Sequence, residues 1–351
     1  MNTPPTRAIT VVLAEDSPTQ RVLLSWILED IGGFHLVGVA KNGREAIAQV
    51  EALHPDIVVM DCLMPEANGF EATQEIMRRC PTPIVLISAT SSYGEVEYAF
   101  EAIRSGALAF AAKPADADSD VKVRDDLIRT IRLMAEVKVI KRRPPAAIRA
   151  SIPDGAQIAG RRIKLVAIAG STGAPAVIGD VLKGIAGEPV APILIVQHMA
   201  VGFVTGFAKW LSERSGINVN VAEHGILPTA GTAYLAPDDH HMGIDSLGHV
   251  VLSQSGLEEG FRPSANYLFR SVAEHFGRSA MGVLLTGMGR DGATGLGAMR
   301  RAGSLTIAQD EASCVVFGMP REAIRQNAVE KVLSPPEIAG AIRSLAKKRG
   351  V

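Results

Sequence analysis

Ser171, His198 and Asp291 each stand just beyond an apolar run in the second half of the chain, and together they are the residue types that acyl transfer requires. A serine hydroxyl is a poor nucleophile at neutral pH until a base takes its proton, and histidine is the usual base. A carboxylate then orients the imidazole and stabilises its charged form. Ser171 lies in GSTGAP after the strand-like KLVAIA, a sharp glycine-flanked turn that opens a helix. Exposed backbone N–H groups and the helix dipole there suit an oxyanion. The same turn would also suit a phosphate or a plain helix start, so the partners must decide. His198 follows PILIVQ, and Asp291 sits in GMGRDG after MGVLLT. The order serine, histidine, aspartate departs from the commonest hydrolase orders, but such a triad is a geometry and recurs in different chain orders.

A second constellation occupies the first half. Glu15 and Asp16 follow ITVVLA, Asp61 follows DIVVM, Ser88 ends the next apolar run, and Lys113 with Pro114 ends the one after. Carboxylates converging at one edge repel unless a divalent cation lies between them. Hard oxygen ligands with room for water and a phosphoryl group suit Mg²⁺. A hydroxyl and an ammonium beside them would hold the remaining phosphoryl oxygens. The plainer alternative is that each acidic residue caps the helix that follows it.

The elements that must position both sets read as α/β. Short β-branched runs alternate with helical patterns, among them helices near Gln20 to Leu28 and Glu45 to Leu53, and this predicts parallel sheets. In a doubly wound sheet ligands sit beyond the carboxyl ends of the strands, where all these residues fall. A second series runs through KLVAIA, PILIVQ, INVNVA, MGVLLT and SLTIAQ. Within it, TAYLAPDDHHMGIDSLGHVVLS predicts two short strands joined by a turn at Ser246, Leu247 and Gly248, an antiparallel hairpin attached to the parallel sheet. At 351 residues the chain suits two cores. The KRRPP run and the small residues after it place a linker at residues 141–161, between domains at 1–140 and 162–351.

A net charge of −1 and 47% hydrophobic residues argue against nucleic acid as a partner and against disorder. The absence of a long apolar run predicts no direct membrane insertion and a cytoplasmic location, and the start lacks the apolar stretch of a secretory signal. Cys62, Cys80 and Cys314 lack paired spacing and read as reduced thiols. His240 and His241 are adjacent, so on a strand they would face opposite ways and would not share one metal.

The constellation in the first half of the chain resembles the receiver domain of bacterial response regulators, over roughly Ala8 to Leu133. The resemblance implies a flavodoxin-like five-stranded parallel sheet, with Asp61 as phosphoacceptor and Glu15, Asp16 and Asp61 around Mg²⁺. It also implies switch roles for Ser88, Phe110 and Lys113. In CLMPEANGF, Ala67 and Asn68 stand where that family usually has Met and Asp, a departure in the loop rather than in the phosphorylation chemistry. The second half, through Ser171-Thr172-Gly173, Gln197-His198-Met199, Arg262-Pro263-Ser264 and Gly287 to Gly292, resembles the catalytic domain of the chemotaxis methylesterases. That resemblance implies a doubly wound α/β domain, with Ser171 as nucleophile, His198 as general base and Asp291 as its orienting carboxylate. Thr172 and Met288 would lie near the oxyanion, and no cofactor is implied for this domain. Ala174 stands where the family usually has a second glycine, which predicts modest reshaping.

The implied reaction is hydrolysis of glutamyl methyl esters, with deamidation of glutamines by the same route, on methyl-accepting chemoreceptors. A chemotaxis-type histidine kinase would be the phosphodonor. The unphosphorylated receiver is expected to block the Ser171 face. The competing readings are a phosphorylation-switched adaptor without turnover, and a nucleotide-binding α/β domain, which lacks a P-loop lysine and a dinucleotide fingerprint.

Overall fold

Residues 8–89, 98, 101–102, 105–116, 121–137, 162–199 and 201–346 are described by the structure, a computed structural model. The chain divides into two compact units, Met1–Ala146 and Ala147–Val351. The expected linker at 141–161 lies outside the described residues.

The first unit is a five-stranded parallel sheet of β1 (Thr10–Ala14), β2 (His35–Ala40), β3 (Ile57–Asp61), β4 (Ile84–Ala89) and β5 (Ala109–Lys113), in the order β2-β1-β3-β4-β5. β1 and β3 are the central strands and are buried along almost their whole length, which is why they read as unbroken apolar runs. The helices start where short polar side chains can take orphan backbone N–H groups. Ser17 does so for helix Pro18–Trp26, Asn42 for Gly43–Leu53, and Asn68 with Glu71 forms a capping box for Gly69–Arg79. The first of these continues into a π turn at Ile27–Ile31.

The second unit holds β6 (Leu165–Gly170), β7 (Ile193–Gln197), β8 (Asn218–Val221), β9 (Thr232–Leu235), β10 (His241–Ile244), β11 (Val250–Ser253), β12 (Ala280–Leu284), β13 (Leu305–Gln309) and β14 (Lys331–Leu333). Seven of these form one parallel sheet, in the order β14-β13-β12-β6-β7-β9-β8. β10 and β11 form the antiparallel hairpin, in register from His241↔Ser253 to Ile244↔Val250. The Asp245 carboxylate accepts from the backbone N–H groups of Leu247 and His249 and shapes its turn. The stretch expected to supply two strands therefore supplies three. TAYL is β9, buried along its length between β7 and β8, and the hairpin starts at His241. The short edge strand β14 carries no period long enough to be foreseen.

One face of β6, through Leu165, Ala167 and Ala169, shares a core with Met242 and Ile244 of the hairpin and with Leu268, Phe269 and Val272 of helix Ala265–Phe276. That helix packs against β6, β7 and β12 of the sheet.

Candidate active site

Ser171 follows the last residue of β6. Gly170 is in register with Gln197 at the end of β7, and the His198 N–H donates to the Gly170 carbonyl at 3.1 Å. On the other side, the Ser171 N–H donates to the Thr286 carbonyl beyond β12 at 3.0 Å. The Gln197 Nε2 donates to the carbonyls of both Ser171 and His198, each at 2.9 Å. Three adjacent strands thus deliver Ser171, His198 and the segment leading to Asp291 to one edge.

The turn after Ser171 needs its glycines. Gly173 has φ +80°, and a Cβ on it would lie 2.5 Å from Val315 Cβ. A Cβ on Gly287 would lie 2.8 Å from Ser171 Cβ and 2.3 Å from Met319 Sδ, so only a bare backbone passes there. The Thr172 carbonyl accepts from Thr286 Oγ1 at 3.0 Å. Among the described residues, the backbone N–H groups of Thr172 and Met288 have no acceptor. The Cβ of Ala174 occupies the space left by Gly170, 2.3 Å from where a Gly170 Cβ would stand.

Asp291 is buried and surrounded by donors. Oδ1 accepts from Ser264 Oγ at 2.8 Å, Asn266 N at 3.0 Å and Gly292 N at 2.9 Å. Oδ2 accepts from Ala265 N at 2.7 Å and pairs with His198 Nε2 at 2.9 Å. Burial alone would push this carboxyl up. The hydrogen bond and charge of His198, with the N–H groups of Asn266 and Ala265, outweigh burial and hold it below the ordinary carboxylate value. A depressed carboxylate stabilises the fold above its unfolded pKa, about 3.9, and that contribution is lost as pH falls through the folded value.

An ionised carboxylate can only accept, so the proton between the pair belongs to His198 Nε2, and the lone pair of a neutral ring is then on Nδ1. That Nδ1 is buried and has no hydrogen-bond partner. The imidazole is stacked face to face on Phe261, with centroids 4.0 Å apart and planes 5° from parallel. Ser171 Oγ is not hydrogen-bonded to His198 among the described residues, a contact that commonly tightens only when substrate binds. An unengaged basic nitrogen on a carboxylate-oriented ring, at the edge that carries Ser171, is equipped to take a hydroxyl proton.

Phe261, Ser264 and the start of helix Ala265–Phe276 were not singled out individually by sequence. The only signal for them was the motif Arg262-Pro263-Ser264. Arg262 braces this segment, giving two hydrogen bonds to Asp239 Oδ1 at 2.9 and 2.6 Å and one each to the carbonyls of Gln254 and Ser255. His240 bonds the Asp238 carbonyl, while His241 is wholly buried and bonds Gly256 and Ser264, so the adjacent histidines serve different partners.

In the first unit, Asp61 and Lys113 are the last residues of β3 and β5, Ser88 lies near the end of β4, and Glu15 and Asp16 follow β1. Ligand oxygens of Glu15, Asp16 and Asp61 lie within 4.8 Å of one another, the only such acidic group among the described residues. Lys113 Nζ reaches Glu15 Oε2 at 2.7 Å and Asp61 Oδ2 at 3.0 Å. Burial raises the Glu15 and Asp61 carboxyls above their ordinary values despite this lysine. Burial works the other way on Lys113, but its two carboxylate partners outweigh it and raise its pKa. One ammonium is well served by several carboxylates and cannot neutralise them all, so the donor set still lacks positive charge. Phe110 packs against the core of this unit.

Residues 166–342 match the CheB methylesterase family, and residues 11–123 match the response regulator receiver domain. A protein-glutamate methylesterase/protein-glutamine glutaminase of Syntrophus aciditrophicus is 45% identical over 96% of this chain and 98% of its own. One of Hahella chejuensis is 41% identical over 95% and 98%. The crystal structure of the Thermotoga maritima CheB methylesterase catalytic domain is 34% identical, covers 52% of this chain and 98% of its own, and superposes with a TM-score of 0.50. Among the described residues, no helix is long and apolar enough to cross a membrane.

Proposed function

This chain belongs to the CheB methylesterase family, and from that premise we propose that it hydrolyses glutamyl methyl esters on methyl-accepting chemoreceptors under control of its own phosphorylation, and deamidates glutamines there. The observation that carries this reading is the His198–Asp291 pair, with its free Nδ1 at the edge that carries Ser171.

Ser171 Oγ attacks the side-chain ester carbonyl while His198 Nδ1 accepts its proton. Asp291 stabilises the imidazolium, and the N–H groups of Thr172 and Met288 receive the developing oxyanion. The imidazolium returns the proton to the departing methoxide, and methanol leaves an acyl-enzyme. Water, deprotonated by the same nitrogen, then releases the glutamate and frees Ser171. A glutamine amide follows the same course and loses ammonia.

In the receiver, Asp61 accepts the phosphoryl group from a chemotaxis-type histidine kinase, and Lys113 and Ser88 face its oxygens. Glu15, Asp16 and Asp61 would hold Mg²⁺, whose chemistry there is to neutralise phosphoryl charge. The boundaries 1–140 and 162–351, with 141–161 as the connecting stretch, the cytoplasm as the place of action and a catalytic unit that needs no cofactor belong to the same reading.

The test is methanol release from methyl-labelled chemoreceptor membranes, with and without a small-molecule phosphodonor and Mg²⁺. Release should rise with phosphodonor and lose that stimulation in Asp61→Asn. In Ser171→Ala it should fall by about 10⁴ to 10⁶, to background. Receptor binding without release would favour the adaptor reading instead.

A further inference from the structure

Ser264 is fully buried, and its hydroxyl is committed on both sides. Its Oγ accepts from the N–H groups of Asn266 and Tyr267 at 3.1 and 3.4 Å, as a helix cap does. Its own proton goes to Asp291 Oδ1 at 2.8 Å. A cap needs only to accept, and nothing in capping requires that proton to meet a buried carboxylate 27 residues away. The backbone N–H of Ser264 donates to His241 Nδ1 at 3.2 Å, which places the His241 proton on Nε2, facing the Gly256 carbonyl at 3.0 Å. The His241 ring is stacked on Tyr267, with centroids 4.7 Å apart. Ser264 thus donates to both neighbours, to His241 through its backbone and to Asp291 through its hydroxyl, and Asp291 in turn accepts from His198, so the four residues are held in one connected network.

We propose that Ser264, anchored by His241, is a positioning residue of the hydrolase: it fixes the Asp291 carboxylate in the orientation that receives His198 Nε2–H and so leaves Nδ1 as the base for Ser171. The proposal rests on the reading of Ser171, His198 and Asp291 as the reacting set. It separates two roles that one side chain combines. Glycine at a cap position costs little stability but removes the hydroxyl donor, whereas threonine keeps both functions.

The experiment measures, on the full chain, the rate at which a fluorophosphonate probe labels Ser171 across pH 5 to 9, alongside methanol release from chemoreceptor membranes. Ser264→Gly should label about tenfold more slowly or worse, since a hydrogen bond to a charged group is lost. Its acid limb should move to higher pH, because Asp291 is less firmly held in its ionised form, and the probe concentration for half-saturation should not change. Ser264→Thr should restore rate and profile. Parent-like labelling and an unmoved acid limb in Ser264→Gly would overturn the proposal, as would a slowed rate that threonine does not rescue. If the parent labels at Ser171 yet releases no methanol, the receptor substrate is wrong while the labelling ratios still decide the role of Ser264. An unreactive parent would bring down both.

Discussion

At the scale of single residues, the site depends on what each polar atom has left to do. Asp291 has every acceptor position engaged, and His198 has one nitrogen engaged and one free. Phe261 holds that ring flat from one side. Replacing it with leucine keeps apolar bulk and removes the parallel face. A ring pair of this kind is worth about 0.5–1.5 kcal/mol beyond its area, so kcat/KM in methanol release should fall by roughly 2- to 12-fold while the thermal midpoint changes little. Ser171 and His198 were legible in sequence because each stands at the end of a strand-like run, which can be located without knowing the fold, and Asp291 because it is a glycine-flanked carboxylate in the turn after another such run. Phe261 was not, because it lies in an aperiodic loop and its partner is 63 positions earlier, a pairing that only the folded loop creates.

At the scale of elements, strand ends and helix starts do the placing. The parallel strands were readable because burial on both faces gives unbroken β-branched runs. The same property misled at TAYL, since a buried strand of a parallel sheet and one strand of a hairpin share composition and length. The turn between β6 and helix Ala174–Gly184 gives a sharper lesson. Ala174 was expected to reshape the turn modestly, and its methyl is accommodated because Gly170 has none. Gly170→Ala should therefore destabilise the second unit by about 1–3 kcal/mol, as overpacking does. Ala174→Gly should be nearly silent in activity, and the double variant should recover most of the loss. Additive effects in that double-mutant cycle, read by denaturant unfolding, would contradict the contact.

At the scale of the whole molecule, two cores carry two kinds of electrostatics. The acid cluster of the receiver is short of positive charge. Glu15 and Asp61 are raised in the folded state, so their contribution to stability is present below their ordinary pKa values and is lost as pH rises through the raised ones. The proposed Mg²⁺ would bind the ionised carboxylates and offset that loss. Calorimetry of the full chain should show the receiver transition gaining more from Mg²⁺ at pH 8 than at pH 5, and gaining little in Asp61→Asn. Equal gains at both pH values would count against the cluster as the cation site.

The strand order of the larger sheet has a further consequence in time. β6 leads into Ser171 and pairs directly with β12, which leads to Asp291, although Leu165 and its register partner Ala280 are 115 residues apart. β7, β8, β9 and the hairpin all lie between them in the chain. Closing so long a loop is slow and entropically costly, and nearby pairings such as β6 with β7 form without it. If Ser171, His198 and Asp291 act as proposed, a newly synthesised chain is expected to bring the first two side by side before the third arrives, and to become competent only when the most distant pairing among the described strands closes.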